Sequence, residues 1–133
     1  NRRSMRLGRD ALALMLLQNV IELRFRRRKE KPGFSDYRRM LCSNDRNLLL
    51  SKLGREILNY DPPKGFSLSY DPKSKNLVIA YDIFMQNFRA INCNDVEVVS
   101  VIKTSPDATE FWKYFNENIY PMNVEQKASF MNK

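Results

Sequence analysis

The 133-residue chain contains no histidine, two cysteines and four scattered glycines, and each scarcity closes a class of chemistry. Without histidine, the commonest general base and metal ligand are missing, as is every Ser-His-Asp or Cys-His arrangement. Cys42 and Cys93 stand far apart in the chain, too few for a disulfide framework or a zinc cluster, which fits a reducing compartment. Gly8, Gly33, Gly54 and Gly65 are never clustered, so no phosphate-cradling loop is present. The longest apolar run, 11–17, is seven residues, far below the roughly 20 a membrane helix needs. Arg2, Arg3, Arg6 and Arg9 precede that run in the manner of a targeting segment, but no small-residue cleavage site follows, so none is expected. The chain opens on Asn1 rather than methionine, and upstream sequence is expected.

What is present is positive charge in one place. Residues 1–39 hold twelve Lys and Arg against Asp10, Glu22, Glu30 and Asp36, a sum of +8, while residues 40–133 hold eleven of each sign. The whole net charge of +8 is therefore local, and it points to a polyanion or an acidic protein surface. An apolar content of 43% with 29% charged residues suits a single folded domain with one core.

Asp10 is expected to cap a helix over 11–18, whose apolar face the rest of the fold must largely cover. The period then changes. Ile21, Leu23 and Phe25 alternate with Glu22, Arg24, Arg26 and Arg28, which reads as a half-buried strand over 20–28. Pro32 and Gly33 mark a turn, with a returning strand over 37–42. A leucine-rich stretch near 48–58, capped by Ser43 or Asn44, reads as helix or turn, and Pro62, Pro63, Gly65 and Pro72 enforce a loop. Strands are expected over 77–82, 88–91 and 96–102, the first two joined at Gln86-Asn87. Pro106, the Asp107/Glu110 spacing and the recurrence of Phe111, Trp112, Phe115 and Ile119 predict an amphipathic helix ended by Pro121. A second short helix, capped by Asn123 with Gln126, is expected to carry Val124, Ala128 and Met131 to the same surface. The expected class is α+β: a small antiparallel β-barrel with an N-terminal helix and C-terminal helices.

The strand sequences carry a resemblance. The basic strand over 20–27, then Arg38-Arg39-Met40-Leu41-Cys42, then Tyr81-Asp82 and Phe88-Arg89 ahead of a last strand at Val96, resemble the WYL-like, Sm-like SH3 β-barrel family of tailed phages and large DNA viruses. Aromatics other than the usual tryptophan fill its aromatic pairs. The resemblance spans 20–102, interrupted by an insert near 44–75. It implies a barrel over 1–104, a helical extension over 105–133 packed on it, no defined catalytic site, no cofactor, and a location in the virion or the host-cell interior.

The candidate binding residues are Arg24, Arg26, Arg27, Arg28, Lys29, Arg38 and Arg39, a set whose planar guanidiniums suit bidentate contacts to phosphate or carboxylate. If the two strands pair through the Pro32-Gly33 turn, like charges face each other, and an anion relieves their repulsion. A merely solvated basic face and a face for an acidic protein remain alternatives. Phe34 and Tyr37 flank the turn as candidates for base stacking, with a core role for Tyr37 as the alternative. Arg89 either lines an anion site or pairs with Asp82 or Asp95, and the pairing is the expectation. Asp82 and Asp95 lie in turn contexts that do not suggest paired catalytic carboxylates, and Cys42 reads as a structural thiol. Phe111, Trp112, Phe115, Met122 and Met131 are expected to cover the barrel end or to form a protein interface, as in a minor capsid or cement component. The sequence therefore predicts a non-enzymatic protein, with nucleic acid or an acidic protein surface as partner, other virion subunits as further partners, and neither a membrane nor a small-molecule substrate.

Overall fold

Strand period two and a proline-glycine turn generate the central element. The computed structural model describes residues 5–27, 29, 32–61, 73–105 and 107–132; the expectations for Arg28, Pro62, Pro63, Gly65, Pro72 and Pro106 lie outside them. β2 (Asn19–Arg26) and β3 (Tyr37–Ser43) pair antiparallel from Val20↔Ser43 to Arg26↔Tyr37. Gly33 takes φ +82° in the intervening turn, a left-handed conformation that glycine adopts at little cost. β4 (Leu77–Asp82), β5 (Asn87–Asn92) and β6 (Val96–Lys103) follow, and a two-residue edge strand, β1 (Met5–Arg6), joins β6. All pairings are antiparallel, in the order β1-β6-β2-β3-β4-β5.

That order has a geometric consequence. β5 and β6 are joined only by the short turn Cys93–Asp95, yet β2, β3 and β4 lie between them in the sheet. In a flat sheet four strand spacings would separate them by about 19 Å, more than the roughly 14 Å that the link from Asn92 to Val96 spans when fully extended. The sheet is therefore rolled, and β2 approaches β5 across the roll. On the inner face, Ile21, Leu23, Phe25, Met40, Cys42, Val78, Ala80, Ile91, Val96 and Val98 share one core with Leu12 and Leu16 of α1 (Arg9–Leu16).

A second core lies on the other face. Val20, Leu41, Tyr81 and Ile102 meet Leu48, Leu49 and Leu58 from the short helices α2 (Arg46–Leu49) and α3 (Lys52–Ile57). Phe111, Phe115 and Ile119 come to it from α4 (Thr109–Tyr114) and the wider π turn Phe115–Ile119 that continues it. β3 pairs with β4 at Cys42↔Asp82 and Ser43↔Tyr81, and among the described residues its first residues have no strand partner on that side. α5 (Val124–Met131) packs against β3, with Phe130 edge-on to Phe84 at 4.8 Å.

Several local expectations need correction. Gly8, not Asp10, precedes α1, and Leu14 and Leu17 stay 69% and 52% exposed, so the fold covers only one side of its apolar surface. Asp45 caps α2 through the amides of Asn47 and Leu48; the Ser43 hydroxyl donates instead to Asn19 O, and Asn44 to Ile79 O. The β4–β5 turn occupies 83–86, and Asn87 already belongs to β5. Asp107 bonds Thr109 rather than forming a box with Glu110, and Ala108 leads into α4 at φ 60°. The Asn123/Gln126 box is formed, but Val124 points to solvent at 84% exposure.

Candidate polyanion interface

The β2–β3 hairpin sorts the basic residues onto two faces. Cross-strand partners share a face, so Arg24 with Arg39, and Arg26 with Tyr37, lie on the outer side, while Arg38 sits with Phe25 on the inner side. The expected juxtaposition of like charges is present at Arg24↔Arg39. It is offset locally. Arg39 Nε stands 3.0 Å from Glu22 Oε2, off the axis of a hydrogen bond, so the contact is a charge pair, and Glu97 of β6 is in register with Arg24.

The aromatic candidates are drawn into the same surface. The Arg24 guanidinium lies 4.1 Å from the Tyr37 ring centroid, and the Tyr37 hydroxyl donates to Asp95 Oδ2 at 2.9 Å. One ring face of Tyr37 is thereby taken by a cation, which suits phosphate binding beside it better than base stacking on it. Phe34 is 45% exposed in the turn, 5.7 Å from the Arg27 guanidinium. Arg27 staples that turn: its amide donates to Asp36 O, its Nε to Ser35 O, and a terminal nitrogen to Asn132 Oδ1 at 2.8 Å. Arg26 and Lys29 are exposed.

On the inner side, Arg38 donates to Asp82 Oδ2 at 2.7 Å, and Asp82 is fully buried. The other oxygen of Asp82 accepts the amides of Phe84 and Met85 at 3.0 and 3.1 Å, so both carboxylate oxygens are engaged, one by the turn and one by the arginine. Burial raises its pKa above the ordinary carboxylate value, against the opposing pull of the Met85 amide, Arg38, the Phe84 amide and Arg89. Burial likewise lowers Arg38; Asp82 counters that effect, and Arg89 and Arg27 add to it. The expected partnership of Asp82 with Arg89 is thus held by Arg38 instead, while Asp95 takes Tyr37.

Phe111 and Phe115 are buried within the chain's own second core, with Trp112 and Met122 half-buried against it. Met131 presents its sulfur to Arg38 at 3.9 Å. The aromatic residues of the C-terminal helices are therefore largely occupied inside the molecule. Burial pushes the Cys42 thiol well up and Cys93 to about 11. Among the described residues no group of three or more Cys, Asp or Glu could hold a metal ion, and no helix is long and apolar enough to cross a membrane. No protein-family model, curated protein or solved structure matches the chain.

Sequence reasoning missed Glu22 as the partner of Arg39 and Asp82 as that of Arg38. The first had a signal, since Glu22, Arg24 and Arg26 share a strand parity. The second pair is 44 residues apart, with nothing local to announce it.

Proposed function

We propose that the chain is a non-enzymatic polyanion-binding protein that takes the phosphate backbone of nucleic acid along the outer edge of the β2–β3 hairpin. Arg24, Arg26 and Lys29 are its contact residues, with Arg28 adjoining them in sequence. The supporting observation is the unequal use of the cations: Arg38 and Arg39 are committed to carboxylates, while Arg26 at the end of β2 and Lys29 beyond it are exposed, Arg26 on the same face as Arg24. Cations already displayed to solvent need no buried partner broken before they meet a phosphate chain. The rolled five-strand order β6-β2-β3-β4-β5 supports the finer architectural reading, an SH3/Sm-like barrel; the WYL-like kind and a phage or viral origin rest on the sequence resemblance alone.

Binding of labelled single- and double-stranded DNA and RNA, measured by anisotropy across a salt series, tests the reading. The logarithm of affinity should fall by about 0.7 to 0.9 per log unit of salt for each phosphate neutralised. The double variant Arg26→Gln/Lys29→Gln should flatten that slope without altering stability. No retention of any of the four nucleic acids at low salt would sink the proposal.

A second reading, a virion structural component, rests on a different observation. Leu14 and Leu17 are exposed at a groove of about 570 Å³ whose other walls include Ala13, Val78 and Ile79. Absence of the polypeptide from purified particles by mass spectrometry would remove this alternative.

A further inference from the structure

We infer that the sheet's inner face holds, beside Asp82, a separate site for a single phosphate group, bound by Arg38, Arg89 and Arg27. The site faces away from Arg24 and Arg26, and it stands independently of the backbone-binding reading above.

The residues reach this place from four strands. Arg38 pairs with Phe25 in register and Arg89 with Ala80, so both share the face of the first core. Arg27 follows β2 with the parity of Phe25. Asp82 ends β4 on the same face, in register with Cys42 of β3 and Asn87 of β5. Among the described residues, the guanidiniums of Arg38 and Arg89 act on the Asp82 carboxylate and that of Arg27 acts on Arg38, while both carboxylate oxygens are already in use.

The donors left over need an acceptor. Arg89 Nε is enclosed by protein and has no hydrogen-bond partner, although its charge is felt by both Asp82 and Arg38. Among the described residues, the Arg27 side chain donates to neutral oxygens alone, Ser35 O and Asn132 Oδ1. A buried donor left unmade and an excess of like charge are both costly, and structures seldom retain either without a ligand to resolve it. Three guanidiniums and one carboxylate leave +2. A phosphate dianion carries the complementary charge and offers oxygens in several directions, as convergent forks from different strands require; a carboxylate supplies half the charge in one plane.

Titration of the full chain with inorganic phosphate, against chloride at matched ionic strength, tests the site by thermal unfolding and calorimetry. Phosphate should raise the unfolding midpoint in a saturable way. Arg89→Met should lose about tenfold or more in phosphate affinity, the effect of one charged hydrogen bond, while remaining at least as stable in chloride because a like charge is gone. Arg89→Lys, which restores the charge without the fork, should recover the affinity only in part. The exposed Arg55→Gln on α3 should bind as the parent does. A 5′-phosphorylated oligonucleotide binding more tightly than its 5′-hydroxyl form assigns the phosphate to a nucleic-acid end; equal binding alongside saturable free phosphate assigns it to a small phosphate species. Phosphate no more stabilising than chloride, or Arg89→Met binding like the parent, would overturn the site.

Discussion

Replacing Asp82 by alanine should be among the most damaging single changes in this chain, and the reason is arithmetic on three hydrogen bonds. The side chain is fully buried and accepts from Arg38 at 2.7 Å and from the amides of Phe84 and Met85. Removing one partner of a buried ion pair costs about 3–5 kcal/mol, because the other charge stays desolvated. Two turn amides also lose their acceptor, and small-domain stability is only about 5–15 kcal/mol in total. Asp82→Ala is therefore expected to lose about 4 kcal/mol or more, and Asp82→Asn roughly half of that, since an amide oxygen can still receive the two backbone donors. The complementary change Arg38→Met leaves the carboxylate buried without its cation. Burial already raises the Asp82 pKa, so the folded chain takes up this proton before the unfolded chain does. That contribution is present in full below the unfolded pKa near 3.8 and is lost as pH rises through the folded value, so Arg38→Met should be more damaging at pH 7 than at pH 4. Urea unfolding followed by the single tryptophan, Trp112, half-buried against Phe111 and Phe115, reads all three variants. A loss below about 1 kcal/mol for Asp82→Ala at unchanged m-value is the size expected of a solvent-screened surface pair, and would refute the buried-pair account.

Two further perturbations follow from packing and burial. Gly54→Ala should destabilise by about 3 kcal/mol or more in urea unfolding, because a β-carbon there would stand 2.7 Å from Leu49 O and closer still to Leu48 O, backbone atoms that cannot step aside; a stability equal to the parent's would mean α2 and α3 are not in this contact. Stability should also fall between about pH 9 and 12: Tyr81 is pushed up to about 12 and Cys93 to about 11, so the unfolded chain releases these protons first and the folded state loses ground as pH rises through that window. Thiol labelling at pH 8 checks the same burial, with both cysteines slow in the folded chain and fast in urea.

The parts of the fold that were legible are those whose signal is local. β4 matches its expected bounds because an apolar, β-branched run ends at a turn, and the β2–β3 hairpin was visible from alternation around Pro32-Gly33. The capping box of α5 was equally direct, since Asn123 and Gln126 satisfy each other three residues apart. Caps failed where tertiary contacts outbid local ones. The Ser43 hydroxyl is drawn to Asn19 O because β2 lies alongside, and Asp45 caps α2 while also accepting from Thr104 at the end of β6. The π turn at Phe115–Ile119 places Phe115 and Ile119 in the second core through a widened helix that no residue pattern marks.

The candidate site was legible as charge and illegible as geometry, and strand parity explains both. Consecutive residues on a strand point to opposite faces, so Arg26 and Arg27, or Arg38 and Arg39, diverge in environment although they adjoin in sequence. Arg39 goes to the outer side beside Glu22, and Arg38 goes inward to a fully buried carboxylate. On the outer side a cation remains hydrated and attracts a phosphate chain through a salt-sensitive field. On the inner side the same residue type is partly desolvated, its charge is felt by few neighbours but strongly, and one enclosed guanidinium nitrogen is left without an acceptor. Under the two proposals above, a basic run divided in this way would present two surfaces with different ligands. Salt should weaken the outer one steeply, whereas the inner one should discriminate by anion shape and charge.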